Sequence, residues 1–252
     1  MTCFSSLKTL LSGLISLKWK QVYFTYSEIR NNANFAKKHI MEINKVDTLI
    51  FDIDGTLWDA IDSYVWIWNE AFRQLYLKRR FTRDDIISFV GQQTDEITAQ
   101  SISDTPNIDP QKVYNKVFEL QEKTMPLLGG KLYDGVKEGL AALSGKYKLF
   151  ILSNCESFGA SQFVDYAQIH PYITDTLTFG ETKLPKALNM QLLIARHQLN
   201  NPIYVGDTNA DSIQTKIAGI PFVFMDYGFG NTDHYDLRFS SFEQFTQYFM
   251  NL

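Results

Sequence analysis

The sequence contains few of the residues that bind transition metals or form disulfides. Its 252 residues include two cysteines and four histidines. Cys3 and Cys155 lie far apart and show no metal or disulfide spacing, so we expect a reducing, cytoplasmic setting. The histidines form neither an HExxH motif nor a pair, which argues against a zinc site.

Basic clusters and long apolar runs are also scarce. The formal net charge of −4 gives no electrostatic reason to expect nucleic acid as a partner. No apolar run approaches the roughly 20 residues that a membrane span needs, so no transmembrane segment is predicted. In contrast, 45% of the residues are apolar and 14% aromatic, enough for one large core or a core with a smaller domain. The oligomeric state stays open.

The N-terminal segment differs in charge from the rest of the chain. Residues 1–27 contain no acidic residue, carry several lysines and place leucines on one helical face. This pattern predicts a basic amphipathic helix that packs on the body or is loosely held. Attachment to a membrane surface and an acid-poor targeting peptide are the alternatives. Met41 lies just before the first predicted strand, so residues 1–40 are predicted to be dispensable for chemistry.

Two carboxylates follow the first strand signal. Residues 46–51 are mostly apolar and predict a strand buried on both faces of a parallel sheet. Asp52 and Asp54 come at its carboxyl end, followed by Gly55. Open α/β sheets bind ligands at that edge, because the loops there diverge into a crevice.

Residues 58–130 have a helical pattern throughout, with no strand signal. Thr82-Arg83-Asp84-Asp85 resembles a capping box, and Asp109-Pro110 is typical of a helix start. We therefore predict a helical insertion over the sheet. Its core is expected to include three aromatic residues: Trp66, Trp68 and Phe72.

The remaining chain alternates between strand and helix signals. Strands are predicted at 147–152, 176–179, 202–205, 221–224 and 237–239, with helices ending near Leu143 and at 186–198, 210–218 and 242–249. Such alternation predicts an α/β fold with a doubly wound parallel sheet.

Polar clusters occur where the predicted strands end or helices begin. They are Asp52 with Asp54, Ser153 with Asn154, a lysine near 183–186, and Gly206-Asp207-Thr208-Asn209-Ala210-Asp211. Each cluster alone is a weak signal. In a parallel sheet, however, these ends meet at one edge, so the set in this order is specific.

This ordered set resembles the haloacid dehalogenase superfamily of phosphohydrolases, in particular its phosphoglycolate-phosphatase-like branch. The resemblance covers roughly residues 46–250. It implies a three-layer, Rossmann-like core over residues 46–57 and 131–252, with a helical cap inserted after the first strand at 58–130. Residues 1–45 would form the N-terminal extension.

The resemblance also implies roles for the carboxylates. Asp52 would attack phosphorus to form an aspartyl-phosphate, and Asp54 would act as acid and then base. Asp207 and Asp211, one helical turn apart, can present carboxylates to Mg²⁺. By resemblance, the Asp52 carboxylate and the Asp54 backbone carbonyl complete the metal ligands.

Other residues are expected to hold the phosphate or the leaving group. Gly55 lets backbone amides approach the phosphate, and Thr56 fits the family's turn into the cap. Ser153 and the Asn154 backbone amide are placed to bind phosphate oxygens. Gln92 and Gln93 occupy what resembles the cap loop that lowers onto the substrate.

The catalytic lysine has two candidates in Thr182-Lys183-Leu184-Pro185-Lys186. Lys186 suits relatives whose lysine lies in the first turn of the helix, whereas Lys183 better matches relatives with a proline after the lysine. We favour Lys186.

Together these features predict a Mg²⁺-dependent phosphatase that acts on a small phosphomonoester, a phosphorylated metabolite. A sugar phosphomutase of the same fold would use the same carboxylate pair and is one alternative. A non-catalytic protein that binds a partner through its N-terminus is the other.

Overall fold

The computed structural model describes residues 43–105 and 108–252 of the chain. The predicted N-terminal helix and Met41 lie outside the described residues. The assignment of residues 1–45 to an extension therefore stays a prediction. In the described part of the chain, no helix is both long enough and apolar enough to cross a membrane.

A six-stranded parallel sheet forms the centre of the fold, in the order β5-β4-β1-β6-β7-β8. The strands of the described residues, in chain order, are β1 (Thr48–Phe51), β2 (Trp58–Asp59), β3 (Lys131–Leu132), β4 (Lys148–Ser153), β5 (Asp175–Thr178), β6 (Pro202–Gly206), β7 (Phe222–Met225) and β8 (Leu237–Phe239). Because β1 is apolar and lies between β4 and β6, all four of its residues are buried. The predicted α/β fold is confirmed.

Helices cover both faces of this sheet. They are α1 (Ile61–Gln74), α2 (Arg83–Ile87), α3 (Thr94–Ser101), α4 (Pro110–Leu128), α5 (Val136–Ser144), α6 (Gly159–Ala167), α7 (Phe179–Thr182), α8 (Lys186–His197), α9 (Asn209–Ala218) and α10 (Phe242–Asn251). Phe51 packs against Phe242 of α10, with ring centroids 6.0 Å apart. The preceding side chain of β1, Ile50, points to the other face of the sheet and shares a buried cluster with Met190 of α8. These alternating contacts give three layers.

Between β2 and β3 in the sequence, the described chain forms the four helices α1 to α4, which make up a helical insertion. Its aromatic centre includes Trp68, Phe72 and Phe81, whose rings contact one another. The prediction that Trp66 belongs to this core is wrong, because its side chain is 47% exposed. Two residues along a helix correspond to a rotation of about 200°, so Trp66 and Trp68 lie on nearly opposite faces.

A short antiparallel ribbon joins this helical insertion to the rest of the chain. Trp58 of β2 pairs with Leu132 of β3, so the chain enters and leaves the insertion at adjacent points. The expectation of a purely helical pattern from residue 58 onward is wrong here. Two-residue strands are too short to show alternation, so no strand pattern is visible at these residues.

Two predicted helix starts are confirmed. Thr82 and Asp85 form a capping box at the start of α2. The Asp109 side chain accepts a hydrogen bond from the Gln111 N–H at the start of α4, with Pro110 in the first turn. In both cases a side-chain oxygen satisfies an N–H that the helix leaves unpaired.

Candidate active site

Three aspartates meet at the carboxyl ends of β1 and β6. Asp52 directly follows β1, Asp207 directly follows β6, and Asp211 lies in the first turn of α9. Because the two strands are parallel neighbours, their ends lie side by side. One carboxylate oxygen from each aspartate lies within 4.8 Å of the others, and all three residues are buried. A donor set made only of oxygen suits a hard cation such as Mg²⁺.

Lys186 places a positive charge against this acidic cluster. It begins α8, and its Nζ lies 3.2 Å from Asp52 Oδ1 and 2.7 Å from Asp211 Oδ1. Its side chain is only 4% exposed. Burial alone would lower the pKa of Lys186, but the Asp211 and Asp52 charges outweigh burial and hold its pKa well above the usual value. The side chain is therefore a buried cation.

Lys183 lies in a different environment. Its side chain is 57% exposed, and its Nζ lies 3.6 Å from Glu156 Oε2. It also sits over the ring of Phe179, at 4.9 Å from the ring centroid. Of the two lysine candidates, the geometry favours Lys186.

The acidic cluster carries more negative than positive charge. Burial raises the pKa of Asp207 well above its usual value, and the Asp211 and Asp52 charges raise it further. Burial likewise raises the pKa of Asp52, although Lys186 acts in the opposite direction. One lysine cannot balance three carboxylates, so a divalent cation would relieve their repulsion. The residues present therefore fit Mg²⁺ in both donor chemistry and charge.

The backbone after β7 holds Asp207 in place. The Phe229 N–H donates to Asp207 Oδ2 at 2.7 Å, and the Thr56 hydroxyl donates to Oδ1 at 3.3 Å. A Cβ on Gly55 would lie 2.0 Å from Asp207 Oδ2, and one on Gly228 would lie 2.4 Å from the same atom. Gly55 also has a φ of +82°. Both glycines are therefore required for the close approach of this carboxylate.

Gly55 was expected to let backbone amides approach the phosphate, and Thr56 to fit the turn into the cap; both lie beside Asp207. Thr56 is fully buried. Neither residue is among those that line the cavity described below. The sequence did not indicate Phe229, because its contribution is a backbone N–H that any residue except proline could supply.

Asp211 has two structural partners. Its Oδ2 accepts hydrogen bonds from the backbone N–H and the hydroxyl of Thr208, at 3.1 and 2.6 Å, in a capping box that begins α9. Its Oδ1 is bonded to Lys186. These contacts fix Asp211 and, through it, the lysine.

Asp54 lies beside the acidic cluster in a different environment. Its Oδ1 accepts a hydrogen bond from Trp58 Nε1 at 2.9 Å, and its Oδ2 accepts one from the Tyr64 hydroxyl at 3.4 Å. Burial raises the pKa of Asp54 to about 6, although these two hydrogen bonds lower it. A carboxyl with such a pKa can donate and accept a proton near neutral pH. Trp58 and Tyr64 were not predicted as site residues.

Ser153 and Asn154 lie at the end of β4, next to β1. Ser153 is buried, and its Oγ accepts a hydrogen bond from the Cys155 N–H at 3.3 Å. The Asn154 side chain donates to the backbone carbonyl of Gly91 at 2.7 Å. Asn154 therefore connects the sheet to the loop that follows α2 in the helical insertion.

A cavity of about 110 Å³ lies between the sheet edge and the helical insertion. Its sheet side includes Asp52, Asp54, Ser153, Asn154 and Lys186. The structure thus brings these predicted residues together around one space. The insertion supplies mainly apolar side chains to the opposite wall, among them Trp68, Ile86, Phe89, Val90, Ile97 and Met125.

The two predicted glutamines differ in position. Gln92 lines the cavity, and its Oε1 accepts a hydrogen bond from Gln100 Nε2 at 2.7 Å. Gln93 is not among the lining residues. It precedes α3, where its N–H donates to Glu96 Oε2 at 3.2 Å.

The fold and the site together define the class. The sequence profile described as haloacid dehalogenase-like hydrolase matches residues 49–225, and the chain belongs to this family. The family predicted from the sequence motifs is therefore confirmed, as is the prediction of an enzyme.

Named relatives and a solved structure agree with this assignment. The chain is 28% identical over 193 residues to the probable phosphatase IndB of Dickeya dadantii (strain 3937), covering 73% of this chain and 83% of the relative. It is 26% identical over 203 residues to a phosphoglycolate phosphatase of Vibrio vulnificus (strain YJ016), covering 76% and 88%. A haloacid dehalogenase-like hydrolase from Streptococcus pneumoniae superposes with a TM-score of 0.69 at 19% identity, covering 82% of this chain and all of that one. The first is named a phosphatase, the second supports the phosphoglycolate-phosphatase-like branch, and the third shows the fold.

Proposed function

We propose that the protein is a Mg²⁺-dependent phosphatase that hydrolyses a small phosphomonoester through an aspartyl-phosphate. The observation that carries this proposal is the position of Asp52, which faces the cavity with Lys186 on one side and Asp54 two residues away. Phosphatase names among the relatives support the same reaction. In this proposal residues 46–57 and 131–252 form the catalytic core, and residues 58–130 form a cap over it.

The first step transfers the phosphoryl group to the protein. A carboxylate oxygen of Asp52 forms a bond to phosphorus, and the bond from phosphorus to the ester oxygen breaks. Asp54 gives its proton to the departing alkoxide, which leaves as the alcohol. Trp58 and Tyr64 hold the Asp54 carboxyl in place for this transfer.

The second step returns the protein to its starting state. Asp54, now a carboxylate, takes a proton from a water molecule while the water oxygen attacks phosphorus. The bond from phosphorus to Asp52 breaks, and inorganic phosphate is released. Lys186, Ser153 and the Asn154 N–H are proposed to stabilise the phosphate oxygens in both steps.

A bound Mg²⁺ would offset the negative charge that a carboxylate and a phosphate bring together. Asp52, Asp207 and the backbone carbonyl of Asp54 are the proposed direct ligands. Asp211 Oδ1 pairs with Lys186 Nζ at 2.7 Å, whereas neither oxygen of Asp207 pairs with a cation among the described residues, so we assign Asp211 to holding Lys186 and to adding negative charge beside the ion.

Release of inorganic phosphate from a panel of small phosphomonoesters with Mg²⁺ tests the reaction. We expect the phosphate released to match the alcohol formed. A product that keeps its phosphate at a new position would instead indicate a phosphomutase.

Removal of the metal is expected to abolish turnover, because one lysine cannot offset the charges of the carboxylates and the phosphate. Activity should fall below detection after chelation and return when Mg²⁺ is added. Mg²⁺ should also raise the Tm of the chelated protein, since binding to the folded state alone stabilises it. Asp207→Asn should lose this Tm shift. Full activity after complete chelation would contradict the proposal.

The two lysines provide a matched pair for the next prediction. Lys186→Met is expected to lower kcat by about 10²- to 10³-fold, because it removes the buried cation beside Asp52. Lys183→Met removes an exposed lysine and should change kcat by less than about twofold. Steady-state kinetics with circular dichroism of both variants measures this. Loss of turnover in the Lys183 variant alone would reverse the assignment.

A further inference from the structure

We propose that the cavity selects phosphomonoesters whose leaving group is an uncharged alcohol and discriminates against leaving groups that carry a carboxylate or a second phosphate. This inference rests on the proposed phosphatase function and specifies its substrate class. It depends on which charges line the cavity, where those charges are already paired, and what the rest of the wall is made of.

The cavity wall contains one cation, Lys186, among the described residues. Its Nζ is already paired with Asp52 and Asp211, on the side where the phosphate reacts. A second anionic group on the substrate would lie farther from Asp52, toward the helical insertion. Among the residues that the structure describes, the wall there offers that group no positive charge.

Glu156 adds a negative charge to the cavity wall. Glu156 lines the cavity and is 4% exposed, and its Oε1 accepts a hydrogen bond from the Tyr114 hydroxyl at 2.9 Å. The nearest cation, Lys183, approaches the other oxygen from the exposed side of the protein at 3.6 Å. Glu156 would therefore repel an anionic leaving group, and Lys183 is not placed to bind one.

The cations of the helical insertion lie elsewhere. Arg83 is paired with Asp59 and Asp62, and Arg79 donates to the backbone carbonyl of Ser101. Arg73, Lys116 and Lys123 pair with glutamates on their own helices. None of these five side chains is among the lining residues. The insertion thus has basic residues but directs none of these five to the cavity.

The wall instead offers apolar surface and neutral amides. Trp68, Phe89 and Met125 provide the apolar surface, and Gln121 and Gln162 provide amides. Gln162 Nε2 donates to the backbone carbonyl of Glu122, whereas its buried Oε1 has no hydrogen-bond partner among the described residues. An unpaired acceptor suits a hydroxyl or N–H of an uncharged leaving group. A carboxylate there would lose its hydration without gaining a partner.

Matched substrate pairs test the inference on the unmodified protein with Mg²⁺. One pair is 2-hydroxyethyl phosphate and phosphoglycolate, which differ by a carboxylate in place of a neutral group. The other is benzyl phosphate and 4-carboxybenzyl phosphate. We expect kcat/KM to be at least about tenfold higher for the uncharged member of each pair that is cleaved.

The outcomes distinguish a failure of the leaving-group inference from a failure of the proposed phosphatase function. Equal or higher kcat/KM for the charged members overturns the inference on the leaving group and leaves the phosphatase function standing. Absence of phosphate release from all four esters and from a wider phosphomonoester panel overturns the phosphatase function, and this inference with it.

A designed cation provides a second test. Gln121→Lys places a positive charge in the cavity wall and is expected to lower the preference for 2-hydroxyethyl phosphate over phosphoglycolate by about fivefold or more. Asn115→Lys adds the same charge to the same helix at an exposed position away from the cavity and should leave the preference unchanged. An unchanged preference in a folded, active Gln121→Lys variant contradicts the inference.

Discussion

Asp52→Asn is expected to lower kcat by about 10⁴-fold or more, because an amide cannot form the phosphoryl-enzyme bond. The loss should appear with every substrate the protein cleaves, since the same oxygen attacks phosphorus in each. Phosphorylated protein, trapped by rapid acid quench during turnover, should be present in the unmodified chain and absent in the variant.

Protein stability provides the control for Asp52→Asn. Burial raises the pKa of Asp52, so its charged form is unfavourable in the folded state. A neutral asparagine of the same shape should therefore leave the Tm of the metal-free protein unchanged or higher. Asp233→Asn, the same change at an exposed position, should keep full activity. Substantial turnover by the Asp52 variant would contradict the covalent mechanism.

Asp54→Asn is the second large effect, and its size should depend on the leaving group. With alkyl phosphates, kcat should fall by about 10²- to 10⁴-fold, because the alkoxide no longer receives a proton. With 4-nitrophenyl phosphate the leaving group needs no proton, so the first step should survive. Hydrolysis of the aspartyl-phosphate still needs a base, so the phosphorylated protein should accumulate.

A burst experiment measures the formation of the aspartyl-phosphate separately from its hydrolysis. The Asp54→Asn variant should release 4-nitrophenolate in a rapid phase of about one equivalent per active site, followed by slow turnover. The same acid quench should recover phosphorylated protein at that stoichiometry. Equal losses with alkyl and nitrophenyl esters, without a burst, would contradict the acid-base role of Asp54.

The sheet could be predicted because its strands are nearly continuous apolar runs. β1, β4 and β6 are each flanked by polar residues, so the apolar runs marked all three strands. The order of motifs along the chain then indicated which strand ends meet. Shorter elements had no such signal. The two-residue strands β2 and β3 were therefore missed. The helix α6 was also missed, although its buried residues Ala160, Phe163, Val164 and Ala167 have helical spacing.

The acidic cluster and its lysine could also be predicted, because Asp52, Asp207 and Lys186 each lie at the end of a strand or the start of a helix. The contacts that hold the cluster could not. Asp207 depends on the Phe229 backbone N–H, and Asp54 on the Tyr64 hydroxyl from the helical insertion. These contacts arise from the loop path and the packing of the insertion, for which the local sequence has no pattern.

The sheet order also determines when the site can form as the chain is made. β1 leads directly into Asp52 but pairs only with β4 and β6, the nearer of which follows roughly 100 residues later. The helical insertion, with its own aromatic centre, is synthesised in between. Asp207 and then Phe229 emerge later still. An incomplete chain that ends before β6 therefore contains the proposed nucleophile without the carboxylates proposed to place its metal, and the hydrolytic site is among the last parts of the protein to be assembled.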